Sequence, residues 1–157
     1  MTTQILDRNR PADTLRDHMA GYGYQYLETP VIDDAGLFLT RAGDRIISRL
    51  FTFGRGGREL ALRPEFTSQA AHHFVHGDFS GAQRWQFSGQ VFEESRQSAS
   101  RACQKMSIGA ELFGLNGPAA DAEIMALALT SLQALNVDNW RLVVGHIGLM
   151  RQMLAQF

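Results

Sequence analysis

The chain has one cysteine, Cys103, in 157 residues, so no internal disulfide framework can form and no cysteine pair is available for a structural zinc site. That usage fits a reducing compartment, and the cytoplasm is the expected location. Long apolar runs are also missing. No stretch approaches the roughly 18 residues of a membrane span, and Met1 to Arg10 lacks an apolar core of signal-peptide length. A membrane partner is therefore not expected. Nor is there an excess of one charge: 15 Lys and Arg against 16 Asp and Glu leave a net charge of -1. Gripping a phosphate backbone usually demands a basic footprint, and none is advertised here. Internal repeats, low-complexity stretches and an interdomain linker are lacking as well.

What remains, 45% hydrophobic and 20% charged residues, is the composition of one globular domain with a core of its own. Pro11 to Met19 reads as a short helix with Leu15, His18 and Met19 on one side, stopped by Gly21 and Gly23. Tyr24 to Leu27 alternates like a strand running into Thr29-Pro30. Leu50 to Phe53 and Glu59 to Leu62 flank Gly54-Arg55-Gly56-Gly57-Arg58, a hairpin signal. That loop lacks the Lys-Ser/Thr ending and following helix of a phosphate cradle.

A helix is expected over Glu65 to His76, with Ala70, Ala71, Phe74 and Val75 as its apolar face and Gly77 as its stop. Arg84 to Phe92 and Met106 to Phe113 are long strand candidates, antiparallel neighbours across the polar connector Glu93 to Lys105. Asn116-Gly117-Pro118 opens the clearest helix, Ala119 to Leu135. Arg141 to Val144 reads as a further strand and Ile147 to Gln156 as a helix. Neighbouring strands with helices packed on them give an α+β fold with a mainly antiparallel sheet.

Three segments in order carry a family signal: Gly23-Tyr24-Gln25-Tyr26-Leu27-Glu28-Thr29-Pro30-Val31-Ile32, Leu60-Ala61-Leu62-Arg63-Pro64-Glu65-Phe66-Thr67, and Trp85-Gln86-Phe87-Ser88-Gly89-Gln90-Val91-Phe92. Together with Ile108 to Gly114 they resemble the histidyl-tRNA synthetase superfamily of class II synthetase cores. The first is similar to motif 1, whose strand ends at a proline on the dimer interface, here Pro30; the third is similar to the opening strand of motif 2. The resemblance implies a class II core, mainly antiparallel and flanked by helices, spanning residues 1–157 as one domain and expected to be cut before motif 3. Two branches share that core: the synthetase itself and the regulatory subunit of ATP phosphoribosyltransferase, the first enzyme of histidine synthesis.

By the same resemblance, Glu65 and Thr67 are suited to the ammonium group of a bound histidine and Glu111 matches a second carboxylate of that pocket. Arg101 falls where the family has a loop arginine, and Ser107 stands where synthetases usually carry a glutamine. Charge-assisted hydrogen bonds of this kind contribute roughly 1.5 to 3 kcal/mol each. The plainer reading of Glu65 and Thr67 is that they start a helix, whose dipole and open amides favour such residues.

Adenylation needs a cation on the α-phosphate of ATP, and in the family an arginine directly follows the motif 2 phenylalanine. Here Phe92 is followed by Glu93 and Glu94, and Ser95 replaces a family glutamate. A unit charge pair at about 4 Å and an effective dielectric of 20 amounts to roughly 4 kcal/mol, so reversing its sign swings the interaction by about 8 kcal/mol before water softens it. Arg96 and Arg101 are possible substitutes; Arg96 is more naturally paired with Glu93 or Glu94.

His72 and His76 have zinc-compatible spacing but no glutamate between them and no third ligand, so they read as surface or pocket-rim residues. The expectation is a regulatory subunit without catalytic residues, metal or cofactor, a homodimer within a hetero-oligomer that binds the catalytic ATP phosphoribosyltransferase subunit, with histidine as its candidate ligand. tRNA is not an expected partner. The alternatives are a histidine–tRNA ligase core fragment and a synthetase paralogue for another small ligand.

Overall fold

The computed structural model of the protein describes residues 10–39, 48–94 and 103–155. In chain order the elements are α1 (Arg10–Gly21), β1 (Gln25–Tyr26), β2 (Ile32–Asp34), α2 (Ala35–Leu39), β3 (Thr52–Arg55), β4 (Arg58–Leu62), α3 (Thr67–His76), β5 (Gln83–Phe92), β6 (Gln104–Phe113), α4 (Pro118–Ala134) and α5 (Ile147–Leu154). The two long strands are where the sequence pattern puts them. They pair antiparallel without a slip from Gln83 opposite Phe113 to Phe92 opposite Gln104.

Two small sheets result, in the orders β1-β5-β6 and β2-β4-β3. The hairpin at Gly54 to Arg58 forms as β3–β4, and its Gly56-Gly57 turn has φ of 60° and 75°, the left-handed pair that two-residue hairpins favour. One pairing departs from the antiparallel rule: β1 lies parallel to β5, with Gln25 opposite Trp85. The whole second sheet and α3 intervene between them, which is the length of connection a parallel pair requires.

Alternation along β5 and β6 gives the first sheet two different faces. The even-numbered face carries Ile108 and Ala110, which pack with Leu15, Met19, Tyr24 and Leu127 from the α1 and α4 side. The expected stripe of α1 is therefore real, and its His18 Nε2 lies 2.8 Å from Thr130 Oγ1 on α4. The odd-numbered face carries Trp85, Phe87 and Val91 against Phe66 and Ala70 of the α3 region. Phe74, Phe79 and Phe113 extend this core, with Phe74 and Phe113 ring centroids 5.0 Å apart. Burying each such side chain contributes roughly 1.5 to 3 kcal/mol.

Helix α3 starts at Thr67 rather than Glu65, and α5 ends at Leu154. Arg141 to Val144 forms no strand: Val143 and Val144 are 81% and 65% exposed, and no described strand pairs with the segment. β-branched residues supply propensity, but a strand exists only through a neighbour's hydrogen bonds. No described helix is long and apolar enough to cross a membrane.

Candidate functional site

The face of the sheet beneath α3 brings together two of the residues singled out in the sequence, Thr67 and Glu111. Glu111, on the odd-numbered face of β6, accepts a hydrogen bond from Thr67 Oγ1 at 2.6 Å. Thr67 is the first residue of α3, so a hydroxyl at a helix start and a carboxylate 44 positions later meet only through the fold. Among the described residues Glu111 has no ion-pair partner. Its carboxylate keeps acceptor capacity for a cationic ligand.

Glu65 turns to the helix instead. Both its carboxylate oxygens lie within reach of the Ser68 backbone N–H, at 3.2 and 3.1 Å, so the plainer reading of this residue as a helix-start acceptor holds. Capping one amide leaves further lone pairs on the same group. Ser107 shares the strand and face of Glu111, opposite Gly89, about 13 Å along β6 at ~3.3 Å per residue. Arg101 and Ser95 lie outside the described residues, as does Arg96.

Arg63 holds this region together. It is 6% exposed, and its guanidinium donates to the backbone oxygens of Gln90 and Thr29, both at 2.8 Å, and to Thr29 Oγ1 at 3.2 Å, while lying 4.5 Å from the centre of the Phe66 ring. Burial pushes its pKa down from the usual arginine value. Gly89 makes room for it, since a Cβ there would sit 2.5 Å from Arg63 Nη2. The Arg63 carbonyl in turn accepts from the N–H of Phe92, so the end of β5 is anchored at the point where the critical position follows.

That position, Glu93, is well supplied with cations. Arg49 Nη1 donates to Glu93 Oε1 at 2.9 Å, and Lys105 Nζ donates to Oε2 at 3.1 Å. The Arg49 guanidinium first, and Lys105 second, hold its carboxyl below the ordinary carboxylate range. Backbone bonds fix the same corner: Glu93 N–H to Cys103 O and Glu94 N–H to Arg49 O, both 2.9 Å.

Clefts border α3 on its other side. One of about 380 Å³ is lined by Asp34, Leu37, Ser68, His72, Val75 and His76. A second of about 210 Å³ includes Pro30, Asp33, Gln69 and His73. Neither contains Glu65, Thr67, Ser107 or Glu111. His72 and His76 stack with ring centroids 4.0 Å apart, at a cleft rim as expected, and no group of three potential metal ligands occurs among the described residues. Pro30 is exposed, and its carbonyl accepts from Gln69 Nε2 at 2.9 Å.

The sequence of the histidyl-tRNA synthetase family matches residues 3–157. The chain belongs to that family. A histidine–tRNA ligase of Methanosphaerula palustris is 35% identical over 144 residues, which cover 90% of this chain and 35% of the relative. That of Geobacillus kaustophilus is 37% identical over 135 residues, 81% of this chain and 32% of the relative. The chain thus spans about a third of the length of the curated relatives it matches.

Among solved structures, a Bacillus halodurans protein described as an ATP phosphoribosyltransferase regulatory subunit/histidyl-tRNA synthetase superposes with a TM-score of 0.70. It is 24% identical and covers 80% of this chain and 33% of its own. Apo histidyl-tRNA synthetase of S. aureus gives 0.65 at 24% identity, covering 85% and 33%. At such identity the likeness is one of fold, the class II α+β core.

The family resemblance put Thr67 near Glu111, as their hydrogen bond does, but gave no role to Arg49 or Arg63. Arg63 stood inside a quoted motif, and its charge in an otherwise apolar Leu60-Ala61-Leu62 run was the available signal. Arg49, 44 positions from its partner, offered none.

Proposed function

We propose that the chain is part of a non-catalytic regulatory subunit of ATP phosphoribosyltransferase, which requires the catalytic subunit as partner and conveys feedback inhibition by histidine. The observation that carries this reading is Glu93. Where the family resemblance expects a cation for the α-phosphate, the chain has a carboxylate locked between Arg49 and Lys105. A carboxylate there opposes the charge that builds up on the phosphate during adenylation, so the step loses its stabilisation.

Histidine recognition is assigned to Glu111 and Thr67, which the Thr67 hydroxyl links, and, by the family resemblance alone, to Glu65, Arg101 and Ser107. Histidine acts by binding two states of the complex unequally, the only way a ligand shifts such an equilibrium. Dimerisation is assigned to the segment around Pro30, where Tyr26, Val31 and Ile32 are exposed apolar side chains. The cytoplasm is the compartment this role calls for.

A mixed assay tests the reading: the full protein should stimulate the catalytic subunit and make it sensitive to histidine. Absence of both binding and stimulation would reject it. A second reading, a histidine–tRNA ligase, is favoured by the names of the curated relatives. Histidine-dependent pyrophosphate exchange by the full protein would establish that reading and sink the first.

A further inference from the structure

The Glu93 corner does more than lose a function. Two cations, Arg49 and Lys105, grip one carboxylate from its two oxygens, so the cluster is an anion site whose ligand belongs to the chain itself. Among the described residues, the paired cluster itself holds one acid and two bases. Arg49 and Glu93 are each under a third exposed, at 28% and 29%, so their contact is less screened than a free surface pair.

We propose that Arg49 and Lys105 form a binding site for phosphate-type anions which Glu93 fills as a tethered internal ligand, blocking the chain against phosphate groups at this point. The backbone bonds of Glu93 to Cys103 and of Glu94 to Arg49 keep the carboxylate in place without any search. A tethered ligand acts at an effective concentration of order millimolar or above, so a free anion must exceed that to compete. The two cations match such an anion: a guanidinium presents a fork of donors and an ammonium a compact charge, the pair of donor types suited to phosphate oxygens. On this view Glu93 not only withholds a cation from a phosphate but occupies the cations that remain.

The inference deepens the reading of Glu93 given above but does not share its test, because it needs neither histidine nor a catalytic partner. Inorganic pyrophosphate is titrated calorimetrically into the full chain and into Glu93→Ala at low ionic strength. The variant should bind at least about tenfold more tightly than the parent. The double variants Glu93→Ala/Arg49→Met and Glu93→Ala/Lys105→Met should lose that gain. If Glu93→Ala does not fold, Glu93→Gln carries the same test, since it keeps the side chain's size and removes its charge. Equal affinity in parent and variant, or a gain that survives removal of Arg49 and of Lys105, overturns the proposal.

Discussion

The two ends of the β5–β6 ladder each present a carboxylate, and the two are treated in opposite ways. At one end Glu111 meets only a hydroxyl, that of Thr67, and has no ion-pair partner among the described residues. At the other, about 20 Å along β6 by strand spacing, Glu93 is neutralised by Arg49 and Lys105. A carboxylate left without a cation remains available to a cationic ligand, whereas one held by two cations has spent its capacity internally. Under the proposed regulatory function, the Glu111 end of this sheet is the recognition end and the Glu93 end the closed chemical end.

The largest effect is expected at Arg63, which ties the Glu93 end of β5 to the segment after β1. Arg63 bonds the Thr29 and Gln90 carbonyls and, through its own carbonyl, the end of β5. Arg63→Met should destabilise the chain by about 3 kcal/mol, because two half-buried carbonyls lose a buried charged donor at once. Urea unfolding measures this. A loss below about 1 kcal/mol would mean that the Glu93 end holds its geometry without the Arg63 guanidinium.

Ligand binding tests the recognition end directly. Glu111→Gln should weaken histidine binding by about 1.5 to 3 kcal/mol, roughly ten- to a hundredfold, while Lys105→Met leaves it unchanged. Calorimetry on the full protein distinguishes the outcomes, and equal losses from both substitutions would erase the contrast between the ends.

A third carboxylate provides a reference of known pairing. Glu123 on α4 takes two hydrogen bonds from Arg84, at 2.6 and 2.7 Å, and one from Tyr24 at 3.0 Å. Its pKa is lowered, chiefly by Arg84, and that of Tyr24 is pushed up to about 12 by burial and by the carboxylate. Glu123 and Glu93 both titrate lower folded than unfolded. Their stabilisation is therefore complete above the ordinary carboxylate value of 4.5 and is lost as pH falls through the lowered values. Glu123→Gln should cost about 1 kcal/mol at neutral pH after allowance for partial exposure. It should also flatten the acid limb of a stability-against-pH curve; an unchanged limb would assign acid sensitivity elsewhere.

How much of this was legible in the sequence differs between the ends for a physical reason. Strands β5 and β6 and helix α4 declare themselves by period and by Gly-Pro punctuation, and the Gly56-Gly57 hairpin by its turn residues. The short β2 and α2 carry too few residues for any period, and Arg141 to Val144 has the composition of a strand without a partner. At the recognition end, family resemblance brought Thr67 and Glu111 into one pocket before any contact was visible. At the chemical end it supplied Glu93 but not Arg49 and only the presence of Lys105, because pairing across 44 residues leaves no local trace.

The smallest expected effect separates the two cations at Glu93. Arg49 is the more buried partner and its donor is the closer, 2.9 against 3.1 Å, while Lys105 is 64% exposed and free to trade its partner for water. An ammonium on a flexible stem at that exposure loses most of its coulombic gain to screening and side-chain entropy. Lys105→Met should therefore change stability by no more than about 0.5 kcal/mol, with Glu93 still held by Arg49. Arg49→Met should cost more, since it also removes the partly buried guanidinium, and adding 1 M salt should narrow the gap only slightly. If Lys105→Met proves the costlier substitution, the carboxylate is held from the solvent side, and the closed end of the ladder is an exposed pair after all.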